Sequence, residues 1–268
     1  MKLAFIGGGN MAAALLSGLL REHAGSDMHV VEPGESRRAE LVKTFGVDVA
    51  AEVGERVRRV DAIVLAVKPQ QMHVACAALR PHVDAQLVVS IAAGIRAADL
   101  VRWLGTQRIV RTMPNTPALI GRGITGMMAL PAVDAAGRTL AESILRACGD
   151  VVWFDTETQI DGVNAVSGSG PAYVFYFMEA LVAAGEELGF SAEQARRLAV
   201  ETVVGAAHLA SESSEPLSLL RERVTSKGGT TAAALASFAR DDVAGGVVRG
   251  VRAAMQRARE LGDEYGRG

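Results

Sequence analysis

The chain has 268 residues, 49% of them hydrophobic and 22% charged, with a formal net charge of −2. That balance belongs to a globular protein rather than a disordered one, and the length suffices for one large domain or two ordinary ones. No run of lysine or arginine builds a basic face, so neither nucleic acid nor anionic lipid is an expected partner. Cys76 and Cys148 lie far apart without metal-ligand spacing; they read as small buried hydrophobes in a reducing compartment. Lys2 and the apolar run up to Leu20 imitate a secretion signal, but Gly7-Gly8-Gly9-Asn10 interrupts that run. No uninterrupted apolar stretch is long enough for a bilayer span, and the cytoplasm is the expected location.

In chain order, short runs rich in Val, Ile and Leu at residues 3–6, 29–32, 62–67, 87–91 and 109–112 read as strands. Continuous apolar runs of this kind suit strands buried on both faces of a parallel sheet. Helical patterns at 11–23 and 36–45 lie between them, and strand-like 125–130, helix-like 133–148 and strand-like 151–154 extend the layout. Such alternation predicts an α/β, doubly wound dinucleotide-binding domain over residues 1–155. Past Asp155 the rhythm changes, and residues 156–268 are expected to form a separate helical domain. Residues 171–188 and 192–210 are long, Ala-rich helical runs, followed by 231–239 and 243–264. In the first, Val174, Phe177, Met178, Leu181 and Val182 form one stripe, but Tyr173, Phe175 and Tyr176 make its start apolar on nearly every side. A helix apolar all round must be buried, which a second subunit accomplishes more readily than so small a domain; a dimer is expected.

The strongest local signal is Ile6-Gly7-Gly8-Gly9-Asn10-Met11-Ala12, which follows the first strand and opens the first helix. Gly7 permits the tight turn, Gly9 lets backbone approach a pyrophosphate, Ala12 allows close helix–strand packing, and the helix N-terminus offers unpaired N–H groups to phosphates. Glu32 stands at the end of the second strand, where a carboxylate accepts hydrogen bonds from ribose hydroxyls and repels a 2′-phosphate. Arg37 and Arg38 just beyond either offset that repulsion or are solvated helix residues, so NADPH and NADH both stay open.

Four further segments stand out: Ala66-Val67-Lys68-Pro69-Gln70, Arg111-Thr112-Met113-Pro114-Asn115-Thr116-Pro117, Val166-Ser167-Gly168-Ser169-Gly170-Pro171-Ala172-Tyr173, and Val224-Thr225-Ser226-Lys227-Gly228-Gly229-Thr230-Thr231. Together with the glycine loop, and in this order and spacing, they resemble the signature segments of the 1-pyrroline-5-carboxylate reductases over essentially the whole chain. The last two are specific to that family, whereas the glycine loop is shared by many dehydrogenases. The resemblance implies a Rossmann-type N-terminal domain and an all-helical C-terminal dimerisation domain that interlocks with its twin; larger rings of dimers occur in the family. It also implies reduction of 1-pyrroline-5-carboxylate to L-proline by NADPH or NADH, the last step of proline biosynthesis.

Residue by residue, Ile6, Gly7, Gly8, Gly9, Asn10, Met11, Glu32, Val67, Lys68, Pro69 and Ala93 are expected around the cofactor by this reading. Met113, Pro114 and Asn115 end a strand at the same sheet edge, and the prolines stiffen that loop; it forms either a wall beside the nicotinamide or a rigid connection. Ser226, Gly228, Gly229, Thr230 and Thr231 precede a helical run, where threonine caps a helix and glycines expose N–H groups to a substrate carboxylate. By resemblance Thr231 is the catalytic position, its hydroxyl facing the ring nitrogen, and Glu157 stands where some members touch the ring. Three positions depart from the pattern: Lys227 replaces a common proline, Val53 a common asparagine on the adenosine side, and Glu32 is more acidic than an NADPH-preferring member suggests. No histidine falls in a signature segment or pairs as a metal ligand would, and no metal is expected.

The runner-up is another two-domain NAD(P)-dependent imine or 3-hydroxyacid dehydrogenase. The hydroxyacid enzymes use a lysine on the helix entering the second domain, and Asp161-Gly162-Val163-Asn164-Ala165-Val166 contains none. A reading from another class is a non-catalytic dinucleotide-binding regulator, which would have no need of the Ser226-to-Thr231 segment.

Overall fold

The computed structural model describes residues 1–266. The chain divides into two compact units, one of Met1–Ser169 with the described residues from Ala254 onward, the other of Gly170–Ala253. This division falls later than the change of rhythm near Asp155, and the C-terminal end of the last helix belongs to the first unit.

The first unit is built on one eight-stranded sheet, β1 Leu3–Ile6, β2 Met28–Val31, β3 Asp48–Ala50, β4 Ala62–Leu65, β5 Leu87–Ser90, β6 Ile109–Met113, β7 Gly123–Ala129 and β8 Gly149–Trp153, in the order β3-β2-β1-β4-β5-β6-β7-β8. Burial on both faces accounts for the apolar runs. In β1, Leu3 and Phe5 enter one core with Leu15, Leu16 and Ile144, while Ala4 and Ile6 enter the other with Met72, Leu79 and Trp103. Each such side chain contributes roughly 1.5–3 kcal/mol when fully buried. The helices α1 Asn10–Leu19, α2 Glu35–Phe45, α3 Met72–Leu79, α4 Ala97–Leu104 and α5 Ala135–Arg146 alternate with the strands. Strands β1 to β6 are mutually parallel, as expected of a doubly wound domain.

Strand β7 runs antiparallel to β6, with Val110 opposite Ala129 and Met113 opposite Gly126. A parallel partner requires a crossover of about a dozen residues or more, and the link between these strands is only the 3-10 turn Thr116–Ile120 with its flanks. The short strand β3 and helices α3 and α4 escaped the sequence reading because each offers too few residues to display a period.

Both cysteines are buried and free, and burial pushes the Cys76 thiol up to about 12 and the Cys148 thiol up to about 11. Thiolate is the reactive form, so neither residue should react with iodoacetamide at mildly alkaline pH in the folded protein, and both should react in urea. Labelling of the native chain, counted by mass spectrometry, would contradict the packing of α3.

After β8 come α6 Glu157–Val163 and a π-helical turn, Asn164–Gly168, still in the first unit. The second unit is helical, comprising α7 Gly170–Glu187, α8 Ala192–Glu212, α9 Leu217–Arg223, α10 Thr230–Arg240 and the first half of α11 Val243–Tyr265. Helices α7 and α8 pack so closely that a Cβ on Gly185 would lie 2.9 Å from that of Ala195. Within α7 to α10 only Gly185, Ala195 and Ala199 are buried. Phe175, Tyr176, Phe177, Leu198 and Leu209 are all exposed in the isolated chain, an apolar surface of the kind that marks an interface. No helix among the described residues is long and apolar enough to cross a membrane.

Candidate active site

The chain proceeds outward from β1 to β2 and β3 on one side, then crosses to β4 on the other, so the order of strands reverses between β1 and β4. Doubly wound sheets bind ligands in the crevice at the carboxyl ends of such strands. A cavity of about 820 Å³ lies at this place, and Ile6, Gly7, Gly8, Gly9, Glu32, Val67 and Lys68 are among its lining residues. Seven of the expected cofactor positions therefore line one cavity. Val53, noted as a departure, lines the same space, together with Gln70, Gln71, Val74 and Ala78 from the turn and helix after β4. Gln70 ends one of the signature segments, whereas Gln71, Val74 and Ala78 lie outside every motif.

The three glycines of the loop have different reasons to be glycine. Gly7 has a φ of +99°, and a Cβ there would lie 2.8 Å from the carbonyl oxygen of Ala66, so the turn and the close approach of β4 both require it. A Cβ on Gly8 would meet Leu41 Cδ1 at 2.6 Å. Gly9 has an ordinary extended backbone, with φ of −67°, and a Cβ there would meet nothing within 4 Å. Neither conformation nor packing demands glycine at that position. It caps α1 without a side-chain hydrogen bond, so the first-turn N–H groups open onto free space, as a bound pyrophosphate requires. The residues present thus fit a dinucleotide.

On the adenosine side, Glu32 is held by the backbone: Gly8 N–H donates to Oε2 at 3.0 Å and Gly34 N–H to Oε1 at 2.9 Å. Arg37 and Arg38 are not freely solvated. Arg37 Nε donates to the Gly8 carbonyl at 2.6 Å, and Arg38 donates to the carbonyls of Glu32 and Pro33. One terminal nitrogen of Arg37 is buried without a partner. A carboxylate and a guanidinium therefore flank the same loop. Lys68 is exposed and has no acidic partner among the described residues.

Asn10 and Met11 form the start of α1, Pro69 opens the turn after β4, and Ala93 sits in the loop after β5; none of them lines the cavity itself. Asn115 is buried, and its side chain is engaged with the protein: Nδ2 donates to the Ser167 carbonyl at 3.2 Å, and Oδ1 accepts from Ile124 N–H at 2.9 Å. It ties the end of β6 to β7 and to the π-helical turn. That turn packs tightly, since a Cβ on Gly168 would lie 2.8 Å from Met113 Cε. Pro114 is buried beside them.

Glu157 opens α6, where Oε1 accepts from Ala97 N–H at 2.7 Å and pairs with Arg111 at 2.9 Å. Arg111 also pairs with Asp161 at 2.6 Å. This arginine belongs to a motif segment, yet the sequence reading gave it no role. A charge in the middle of an apolar strand was the available signal.

In the second unit, Ser226, Gly228, Gly229, Thr230 and Thr231 form one turn into α10. Gly229 is the N-cap and Thr230 the first helical residue. Gly228 has φ of +74°, and a Cβ on Gly229 would overlap the Ser226 hydroxyl. No side chain caps α10, so the threonines are not spent on capping, and the hydroxyls of Ser226, Thr230 and Thr231 have no hydrogen-bond partner among the described residues. An anion and a hydrogen-bonding ring atom are what such a turn can hold.

Comparison with known proteins adds a decisive observation. Pyrroline-5-carboxylate reductase of Pseudomonas aeruginosa is 46% identical over 99% of this chain and 98% of its own. The chain belongs to the pyrroline-5-carboxylate reductase family. Family models described as pyrroline-5-carboxylate reductase dimerisation and as coenzyme F420-dependent NADP oxidoreductase match residues 157–261 and 2–94. Among solved structures, the pyrroline-5-carboxylate reductase of Coxiella burnetii covers 97% of this chain and 98% of its own, with a TM-score of 0.92 and 38% identity. Pyrroline carboxylate reductase of Plasmodium falciparum, solved with NADP bound, covers 98% of each chain, with a TM-score of 0.86 and 29% identity. In this reductase family member, the exposed apolar helices α7 to α10 fall inside the matched dimerisation region, and the glycine loop inside the oxidoreductase match.

Proposed function

We infer that this chain reduces 1-pyrroline-5-carboxylate to L-proline by hydride transfer from NADPH or NADH, the last step of proline biosynthesis. Its close identity to a curated pyrroline-5-carboxylate reductase over nearly the full length of both chains carries the reading. The protein acts as a homodimer through its helical region, and we extend this to a larger ring of dimers and to a cytoplasmic location.

A bound nicotinamide supplies the hydride. The protein's task is orientation, because a protonated cyclic imine is already electrophilic and the product nitrogen keeps its proton. Positioning two reactants contributes roughly 7–11 kcal/mol. Gly7, Gly8 and Gly9 with the first turn of α1 hold the pyrophosphate, and Glu32 accepts from the adenosine ribose. Ile6, Asn10, Met11, Val67, Lys68, Pro69 and Ala93 complete the cofactor site, with Met113, Pro114 and Asn115 behind the nicotinamide. Ser226, Gly228, Gly229 and Thr230 receive the substrate carboxylate at the start of α10. Thr231 directs its hydroxyl to the ring nitrogen, and Glu157 borders the ring. The free hydroxyls of the α10 turn support this assignment.

The test is the loss of nicotinamide absorbance with pyrroline-5-carboxylate, NADPH and NADH run in parallel. Rapid substrate-dependent oxidation is expected, and Thr231→Val should lower kcat roughly tenfold or more, the worth of a hydrogen bond to a charged group, while Thr231→Ser retains activity. Folded protein that binds cofactor without oxidising it would sink the reading in favour of a non-catalytic regulator.

A further inference from the structure

The last turns of α11 return to the first unit and fasten onto two loops at the carboxyl edge of the sheet. The Gln70 side chain, which lines the dinucleotide cavity, donates from Nε2 to the Tyr265 hydroxyl at 2.9 Å. The Tyr265 ring packs against the same core that receives Val67, Ala92 and Ile95. Beside it, Gly94 adopts φ of +74°, and a Cβ there would lie 3.4 Å from Leu261 Cβ and 3.5 Å from the Tyr265 ring. Gly262 is equally confined, since its Cβ would stand 3.2 Å from Arg96 Nε and 3.5 Å from the Gly94 carbonyl oxygen. An ion pair joins Arg96 to Asp263 at 2.5 Å, and Arg102 donates to the Gly266 carbonyl at 2.6 Å.

Apart from the Arg102 bond, which reaches from α4, these contacts converge on two places. One is the turn after β4, which carries Lys68 and Gln70; the other is the loop after β5, which carries Ala93. Gln70 sits in a single 3-10 turn, Pro69–Gln71, and Gly94 in the irregular segment before α4; segments so short shift readily without a backing surface. The tyrosine hydroxyl also engages Gln70, a polar side chain of the β4 turn that lines the cavity. A feature needed only to close the core would be served by a phenylalanine, which supplies the same ring without the hydroxyl.

We propose that the C-terminal turn of α11, acting through Tyr265 and the Arg96–Asp263 pair, is a positioning element for dinucleotide binding, holding Gln70 and the Gly94 loop in their binding arrangement. The proposal rests on the cavity taking NADPH or NADH. Tyr265 touches no reactant; it acts through Gln70.

The experiment is a fluorescence titration of the dimeric protein with NADPH, paired with steady-state kinetics and a melting curve without cofactor. Tyr265→Phe should raise the Kd and the cofactor KM together by roughly threefold to tenfold, the worth of one hydrogen bond. At saturating cofactor, kcat and the KM for the imine stay unchanged. Asp263→Asn should shift the same two constants in the same direction, and Gln70→Leu combined with Tyr265→Phe should weaken binding no more than Gln70→Leu alone. Unchanged cofactor Kd in both single variants, with only the melting temperature lowered, would reduce the turn to packing and overturn the proposal. Wild-type protein that binds neither cofactor would overturn the cavity assignment itself, and the proposal with it.

Discussion

Gly9→Val is expected to leave the protein folded and to weaken NADPH and NADH binding by more than about 100-fold, or about 2.7 kcal/mol. The basis is the contrast among three adjacent glycines. Valine at Gly7 would collide with the Ala66 carbonyl from a backbone at φ of +99°, so its failure would report strain rather than function. A Cβ at Gly9 meets no protein atom within 4 Å. Its extended backbone suits a β-branched residue, and the poorer helix cap costs about 1 kcal/mol, small against a domain stability of roughly 5–15 kcal/mol. The added methyl groups occupy the space through which the first-turn N–H groups of α1 reach a pyrophosphate. A cofactor titration alongside a circular-dichroism melt separates the two effects. Wild-type affinity in the variant would mean that the diphosphate does not lie over this turn.

Arg111→Ala is expected to cost about 3–5 kcal/mol of stability, the loss seen when one partner of a buried ion pair is removed. The Arg111 side chain is 3% exposed in the centre of β6, between Glu157 at 2.9 Å and Asp161 at 2.6 Å. Both carboxylates belong to α6, and Glu157 also receives the first N–H of α4. The arginine therefore binds a strand and two helices into one unit, and its removal leaves two carboxylates facing an apolar sheet. Arg111→Lys should rescue little, because one ammonium cannot reproduce the planar fork. Arg111→Met combined with Glu157→Gln and Asp161→Asn should recover much of the loss, since the charges then vanish together. The urea midpoint of each variant is the measurement; a single-variant midpoint equal to wild type would show that α6 is held by packing alone.

Elements with a long or bilateral apolar signal were legible from residues alone. Strand β1 followed by the glycine loop and α1 needed no tertiary information, because the strand is buried on both faces and the turn requires glycine. Helices α7 and α8 were legible from their periodicity, and the unpartnered start of α7 already called for a second subunit. The direction of β7 was not read, although the short link after β6 held the clue. Helix α6 escaped because its Thr156 capping box precedes a run too short for a period.

The residues themselves determined the order of strands and helices, the place of the dinucleotide loop and the family to which the chain belongs, since each depends on neighbours in sequence and on local backbone geometry. Tertiary structure alone decided which side chains serve those elements from afar. Asn115, expected beside the cofactor, has its amide bonded to Ile124 and Ser167. Gln70 meets Tyr265 across 195 positions of sequence, and Arg111 finds its partners only when α6 lies against β6. Contacts of that kind arise from packing, which places distant segments together by apolar burial without leaving a period or a motif in either of them.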